Sequence, residues 1–108
     1  MNWIPLEAES QLRVIIDKST KRPQVIFKHS TRCPISKMIM NRLEKSEQPE
    51  NVDFYYLDLL KFRSLSNKIA DDFQIRHESP QVILLSGGKP VYNEDHSAIT
   101  MEDLTASV

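Results

Sequence analysis

Apolar residues recur at helical spacing in four segments of the chain. In the first segment, Leu12, Ile15 and Ile16 occupy positions i, i+3 and i+4, which places them on one face of a helix. The second segment begins at Pro34, whose missing N–H is tolerated in the first turn of a helix. Its predicted core face consists of Ile35, Met38, Ile39 and Leu43. The predicted helices cover residues 6–18, 34–46, 64–73 and 100–107.

Four short runs rich in β-branched and aromatic residues predict strands. They are "QVIFKH" (24–29), "VDFYYLD" (52–58), "QVILL" (81–85) and "KPVY" (89–92). The Gly87-Gly88 pair between the last two runs has the composition of a tight hairpin. Pro90 places the fourth strand at an edge of the sheet, because proline has no N–H to offer a second neighbour.

These elements follow one another in the order α-β-α-β-α-β-β-α. This order predicts an α/β fold with a mixed four-stranded sheet flanked by helices. Thr100 is the expected N-cap of the last helix, with Asp103 as its capping partner. Because this helix is short, it would leave apolar surface of the sheet available to a partner.

The composition indicates an ordinary globular protein. The chain has 108 residues, 40% of them hydrophobic and 27% charged, so we expect residues 1–108 to form a single domain. A formal net charge of -1 provides no drive toward nucleic acid or an anionic membrane. No apolar run is long enough to cross a bilayer, and no secretory signal is recognisable. We expect a cytoplasmic monomer.

Cys33 is the only cysteine, so the chain cannot close an internal disulfide. An unpaired cysteine is most often a small, inert core residue. Cys33, however, falls directly between a buried strand and a helix that opens with Pro34. The free N–H groups and the dipole of a helix N-terminus favour an anion, and the thiolate is the nucleophilic form of cysteine. The position therefore favours a reactive thiol.

The residues around Cys33 indicate what such a thiol can do. Arg32 adds an adjacent positive charge, and Ser36 is near enough to donate its hydroxyl or its backbone N–H to the sulfur. In a Cys-x-x-Cys redox site, a second thiol at the position of Ser36 would resolve the mixed disulfide. Serine cannot do so. Cys33 can therefore accept a thiol adduct, but a thiol from outside must release it.

Basic residues are concentrated near this site. Between residues 28 and 45 the only acid is Glu44, against five cations: Lys28, Arg32, Lys37, Arg42 and Lys45. Such a cluster would attract an anionic thiol compound. An ordinary solvated helix face explains it equally well.

The segment "FKHSTRCPIS" resembles that of the monothiol bacilliredoxins of the YtxJ type, whose motif is Thr-Cys-Pro-Ile-Ser. The resemblance extends from Trp3 through "SPQVILLSGGKPVY" and implies a thioredoxin-like fold. It implies that bacillithiol is removed from mixed disulfides on proteins and passes to Cys33, with Pro34, Ile35 and Ser36 completing the motif. Bacillithiol would be a co-substrate, bacillithiolated proteins the partners, and no cofactor would be tightly bound. Arg32 departs from the family threonine.

The same resemblance gives a meaning to Ser79-Pro80. In thioredoxin-like folds a cis-proline before this strand lies beside the active cysteine, and the residue preceding it offers backbone groups to an incoming substrate. X–Pro bonds are where cis peptides occur. A trans proline that ends a helix is the alternative, but the order of elements favours cis.

The residues around Cys33 also allow other interpretations. His29, His77 and His96 match no zinc spacing with Cys33, so we expect no metal; His29 either lies near the thiol or faces solvent. The proline after Cys33 disfavours an iron–sulfur cluster of the kind some monothiol glutaredoxins share. A noncatalytic binding module and a redox sensor remain alternatives to a turnover enzyme.

Overall fold

The computed structural model describes residues 1–108. Its strands are β1 (Trp3–Pro5), β2 (Gln24–His29), β3 (Asp53–Asp58), β4 (Gln81–Ser86) and β5 (Lys89–Asp95). Its helices are α1 (Glu9–Lys18), α2 (Pro34–Glu44), α3 (Arg63–Phe73) and α4 (Met101–Ala106), with a 3₁₀ turn at His96–Ala98 before α4. None of these helices is both long and apolar enough to cross a membrane.

The five strands form one mixed sheet in the order β1-β3-β2-β4-β5. The first three of these strands are parallel, whereas β4 runs antiparallel to both β2 and β5. The α/β class and the mixed sheet are as predicted. β5 lies at an edge, as Pro90 requires, and Gly87 and Gly88 form the hairpin with positive φ angles of 64° and 82°.

The sheet has five strands instead of the predicted four, because the sequence prediction missed β1. This strand is only three residues long and ends at Pro5, so it offers no alternating pattern to recognise. It pairs in parallel with Phe54 to Tyr56 of β3. Because this stretch is extended, the first helix begins at Glu9 and not at residue 6.

Two hydrophobic clusters cover the two faces of the sheet. On one face α2 and α4 pack over Val25, Phe27 and Phe54. On the other face α1 and α3 pack over residues that include Ile26 and Leu57. Successive side chains of a strand point to opposite faces, so β2 at the centre is buried on both sides along its whole length.

Helix α2 presents only part of the predicted face to the core. Ile35 and Met38 are each 45% exposed, whereas Ser36, Ile39 and Leu43 are buried. Met40, two residues after Met38, packs against the core instead. The predicted and observed faces share Ile39 and Leu43, and Ser36 and Met40 take the places predicted for Ile35 and Met38. Apolarity alone favoured the wrong residues at these two positions.

The last helix is capped as predicted. The Thr100 hydroxyl accepts a hydrogen bond of 3.1 Å from the Asp103 N–H. Met101 and Leu104 are buried and complete the core on the α2 side of the sheet. Although α4 has only six residues, it therefore closes that end of the core.

Candidate active site

Cys33 is the last residue of the loop that connects the central strand β2 to α2. It is the N-cap residue of this eleven-residue helix, and its backbone is extended, with φ of -97° and ψ of 118°. Its N–H donates to Ser30 O at 3.2 Å, and its carbonyl accepts from the Lys37 N–H at 3.0 Å. Cys33 is half-buried, and its thiol makes no capping hydrogen bond. The residue is therefore partly exposed at a helix N-terminus.

The residues that flank the thiol are exposed. Arg32 precedes Cys33 in the loop and makes no ion pair, while Pro34 occupies the first turn of α2. Ile35 follows with almost half of its surface open to solvent. The residues next to Cys33 in the chain are therefore accessible, one of them cationic and two apolar.

Ser36 is fully buried and does not serve the sulfur. Its Oγ accepts the Ser30 N–H at 3.0 Å and lies 2.7 Å from His29 Nδ1. The prediction that its hydroxyl donates to Cys33 is therefore wrong. The physical reason is that Ser36 belongs to the stripe of α2 that packs on the sheet, so its side chain points toward the end of β2.

His29 is also buried, with 5% of its surface exposed, so the solvent-facing alternative is wrong. Its ring lies between those of Phe27 and Tyr56, with centroid distances of 5.6 and 5.4 Å. Burial lowers the pKa of His29, and the nearby Lys37 lowers it too, although Asp58 and Glu44 oppose this shift. His29 therefore stands beneath the first turn of α2, where burial disfavours its charged form.

The Ser79–Pro80 peptide bond is cis, the alternative that the order of elements favoured. The pairing of Gln81 with Lys28 places the buried Pro80 just beyond the last paired residues of β2, at the end of the sheet that carries Cys33. The Ser79 hydroxyl is buried and has no hydrogen-bond partner. The structure thus brings both predicted segments to the same end of the sheet.

Lys28 is an unexpected feature of the sheet interior. It is fully buried, and its Nζ donates to Ser66 O at 3.0 Å and lies 3.3 Å from His77 Nδ1. Desolvation lowers the pKa of Lys28 to about 8. Its assignment to a basic surface cluster was wrong, although its place inside a strand predicted to be buried was a signal for burial.

Of the other cluster residues, Arg32 lies in the loop before α2, whereas Lys37 and Arg42 lie on the surface of this helix and Lys45 is its C-cap residue. An open groove of about 560 Å³ runs along this helix, lined by Pro34, Lys37, Met38, Asn41, Arg42 and Lys45. Arg42 also donates to Ser97 O and Ile99 O, each at 2.8 Å, and so ties α2 to the segment before α4. Lys37 and Lys45 are exposed and make no ion pair, so their charges remain available to a ligand.

No group of three or more histidine, cysteine or acidic side chains is arranged to hold a metal ion. Each histidine instead has its own local partner. His29 contacts Ser36, His77 contacts Lys28, and His96 lies 2.9 Å from Asp95. At this end of the sheet, the group that can act chemically is the Cys33 thiol.

A family model described as monothiol bacilliredoxin BrxC matches residues 4–104. Among solved structures, a protein described as having a thioredoxin fold is 32% identical, with a TM-score of 0.85; the match covers 96% of this chain and 91% of that one. Thioredoxin from Malassezia sympodialis is 22% identical (TM-score 0.73, 97% and 86% covered). Thioredoxin from Fasciola hepatica is 18% identical (TM-score 0.75, 96% and 98% covered). These two thioredoxins share the fold.

Proposed function

Because the chain belongs to the monothiol bacilliredoxin family, its role is redox thiol exchange, and we propose that it removes bacillithiol from mixed disulfides on proteins through an adduct on Cys33. The observation that carries this proposal is the position of Cys33. This residue is half-buried at the N-terminus of α2, a position where the helix dipole and N–H groups without helical partners attract negative charge.

The exchange takes two steps. In the first, the Cys33 thiolate attacks the bacillithiol sulfur of the substrate disulfide; a new disulfide forms on Cys33, and the substrate cysteine leaves as a thiolate that takes up a proton. In the second, an external thiol attacks the bacillithiol sulfur of the adduct and expels the Cys33 thiolate. The two small thiols leave as a disulfide, so the oxidising equivalents are carried away by them.

The second step must be external because the chain offers no resolving group. Ser36 holds the position of a resolving thiol, but its hydroxyl is buried and cannot form a disulfide. We also propose that the backbone of Ser79, which precedes cis-Pro80, pairs with the incoming substrate. Arg32, Pro34 and Ile35 would form the rim that the substrate protein contacts.

The turnover of a bacillithiolated protein tests this function. The chain should be mixed with an excess of such a substrate and with free bacillithiol, and the released substrate thiol counted per molecule of chain. We expect many substrate molecules to be released by each chain. Release of a single equivalent would indicate a redox sensor, and no release above the background with free bacillithiol would indicate a noncatalytic binding module.

Charge on α2 is expected to select an anionic small thiol. Lys37 lies four residues after Cys33, one helical turn along the same face, and it lines the groove that runs away from the thiol. A carrier disulfide-bonded to Cys33 would extend toward this unpaired cation. Bacillithiol is an anionic thiol, so the groove is complementary to it in charge.

Lys37→Gln tests this complementarity. We expect the rate at which Cys33 is loaded by the anionic disulfide dithiodipropionate to fall about three-fold, the size of effect that one exposed charge exerts. The rate with the neutral hydroxyethyl disulfide should not change. Lys21→Gln is the control, because it removes an exposed cation near the opposite end of the sheet. Equal effects of the two substitutions would rule out selection by the groove.

A further inference from the structure

The Ser36 clamp, formed by Ser30, Ser36 and His29, joins the first turn of α2 to the end of β2. Ser36 Oγ accepts the Ser30 N–H at 3.0 Å and is 2.7 Å from His29 Nδ1. Ser36 is fully buried and His29 almost so. The loop that the clamp closes runs from Ser30 to Cys33 and therefore ends on the reactive residue.

The hydrogen bonds of the clamp define where the His29 proton lies. The Ser36 oxygen already receives the Ser30 N–H, and the hydroxyl proton needs an acceptor, which His29 Nδ1 alone provides. If Nδ1 carried a proton, the hydroxyl proton would be buried without a partner, which is costly. The ring is therefore neutral, with its proton on Nε2.

We propose that His29 is a positioning residue for Cys33: its neutral imidazole accepts the Ser36 hydroxyl, and this clamp holds the Ser30–Cys33 loop so that Cys33 stays at the N-cap position of α2. The inference rests on the proposed function and adds a residue to the site. Cys33 itself donates its N–H to Ser30 O, so both ends of the loop are fixed through Ser30.

Protonation of His29 would weaken the clamp. An imidazolium cannot accept the Ser36 hydroxyl, so the buried hydroxyl proton would lose its acceptor, and only the hydrogen bond from the Ser30 N–H would remain unchanged. The charged groups facing the ring are Asp58 at the end of β3 and Lys37 and Glu44 on α2, with the ring of Tyr56 alongside. Burial is the largest influence on the His29 pKa and lowers it, whereas Asp58, Glu44 and a backbone hydrogen bond at Ser36 raise it. We therefore expect the ring to accept the Ser36 hydroxyl at neutral pH and to lose this hydrogen bond in acid.

Nitrogen NMR of the parent protein tests the tautomer directly. We expect His29 Nδ1 to show the shift of an unprotonated ring nitrogen and Nε2 that of a protonated one at neutral pH. Protection of the Ser30 amide from hydrogen exchange should accompany them. A proton on Nδ1 at neutral pH would overturn the proposal.

Two substitutions separate acceptance of the hydroxyl from simple packing. His29→Phe keeps a ring between Phe27 and Tyr56 but removes the acceptor, whereas the side-chain oxygen of His29→Asn can take the place of Nδ1. With hydroxyethyl disulfide at neutral pH, we expect His29→Phe to load Cys33 about ten-fold more slowly than the parent and His29→Asn to remain within about two-fold.

The pH profile supplies a readout that a purely structural role would not move. The loading rate of the parent should show one more descending limb in acid than that of His29→Asn, because asparagine does not titrate. If His29→Phe folds and loads Cys33 at the parental rate, or if His29→Asn retains the extra limb, the proposal is wrong. Should His29→Phe not fold, the nitrogen spectrum and the asparagine profile still decide.

This outcome is distinct from failure of the proposed function. If parental Cys33 never accepts bacillithiol from a protein, the proposed function fails, and loading by hydroxyethyl disulfide still reports on the clamp. If the parent accepts bacillithiol but His29→Phe loads as fast as the parent, only the positioning role fails.

Discussion

Replacing Cys33 with serine is expected to abolish bacillithiol transfer and leave only the background rate of free thiols. No other cysteine is present to take the adduct, and a serine hydroxyl does not form a disulfide. The loss should therefore be complete, and not the partial effect expected if the thiol were one contributor among several. Release of the substrate thiol, followed with a thiol-reactive dye, measures it.

The same substitution is expected to leave the fold intact. Cys33 occupies the N-cap position of α2 with extended backbone, and serine is one of the preferred residues there. The thermal midpoint of Cys33→Ser should therefore equal or exceed that of the parent. Full transfer activity in this well-folded variant would show that the cysteine is incidental, and a noncatalytic binding module would then be the better description.

Lys28→Met is expected to stabilise the protein at neutral pH, by about 1 to 3 kcal/mol in the free energy of unfolding. Lys28 is fully buried, and a pKa lowered from 10.5 to about 8 corresponds to about 3 kcal/mol by which burial disfavours the charged form. Methionine fills a similar volume without a charge. The hydrogen bonds from Nζ to Ser66 O and His77 are lost, so the net gain is smaller.

The pH dependence of the free energy of unfolding tests whether the buried charge of Lys28 is the cause of this difference. Between about pH 8 and 10.5 the unfolded parent binds more protons at Lys28 than the folded parent, so the stability of the parent rises with pH in that window. The advantage of Lys28→Met should be full below pH 8 and disappear by about pH 10.5. Urea unfolding across this range measures it, with Lys21→Met, at an exposed lysine, as control. A difference independent of pH would contradict the assignment.

The sequence predicted the parts of the fold that are determined by long or doubly buried segments. β2 and β4 each contain a continuous apolar run, because both faces of these strands are covered by helices. β1 could not be recognised, since three residues next to Pro5 become a strand only through pairing with β3. The face of α2 that packs on the core depends on a similar tertiary effect. Ser36 is buried because its hydrogen-bond partners, Ser30 and His29, lie at the end of β2.

The candidate site also has features that the sequence could predict and features that it could not. Cys33 and Ser79–Pro80 could be placed from the local order of strand, helix and proline, since both follow the topology of the sheet. The role of Ser36 could not, because the direction of its side chain depends on the packing of α2. The burial of Lys28 and His29 could be anticipated from the strand around them, but their partners Ser66, His77 and Ser36 come from other elements.

The central claim is that Cys33 itself carries bacillithiol between two other thiols. Intact mass spectrometry of the chain, after it is mixed with one equivalent of a bacillithiolated protein and before any free thiol is added, tests this claim. We expect the mass to rise by one bacillithiol, located on Cys33, and to return to that of the unmodified chain when free bacillithiol is added. If the substrate is released by free bacillithiol while Cys33 never carries the adduct, the account is wrong.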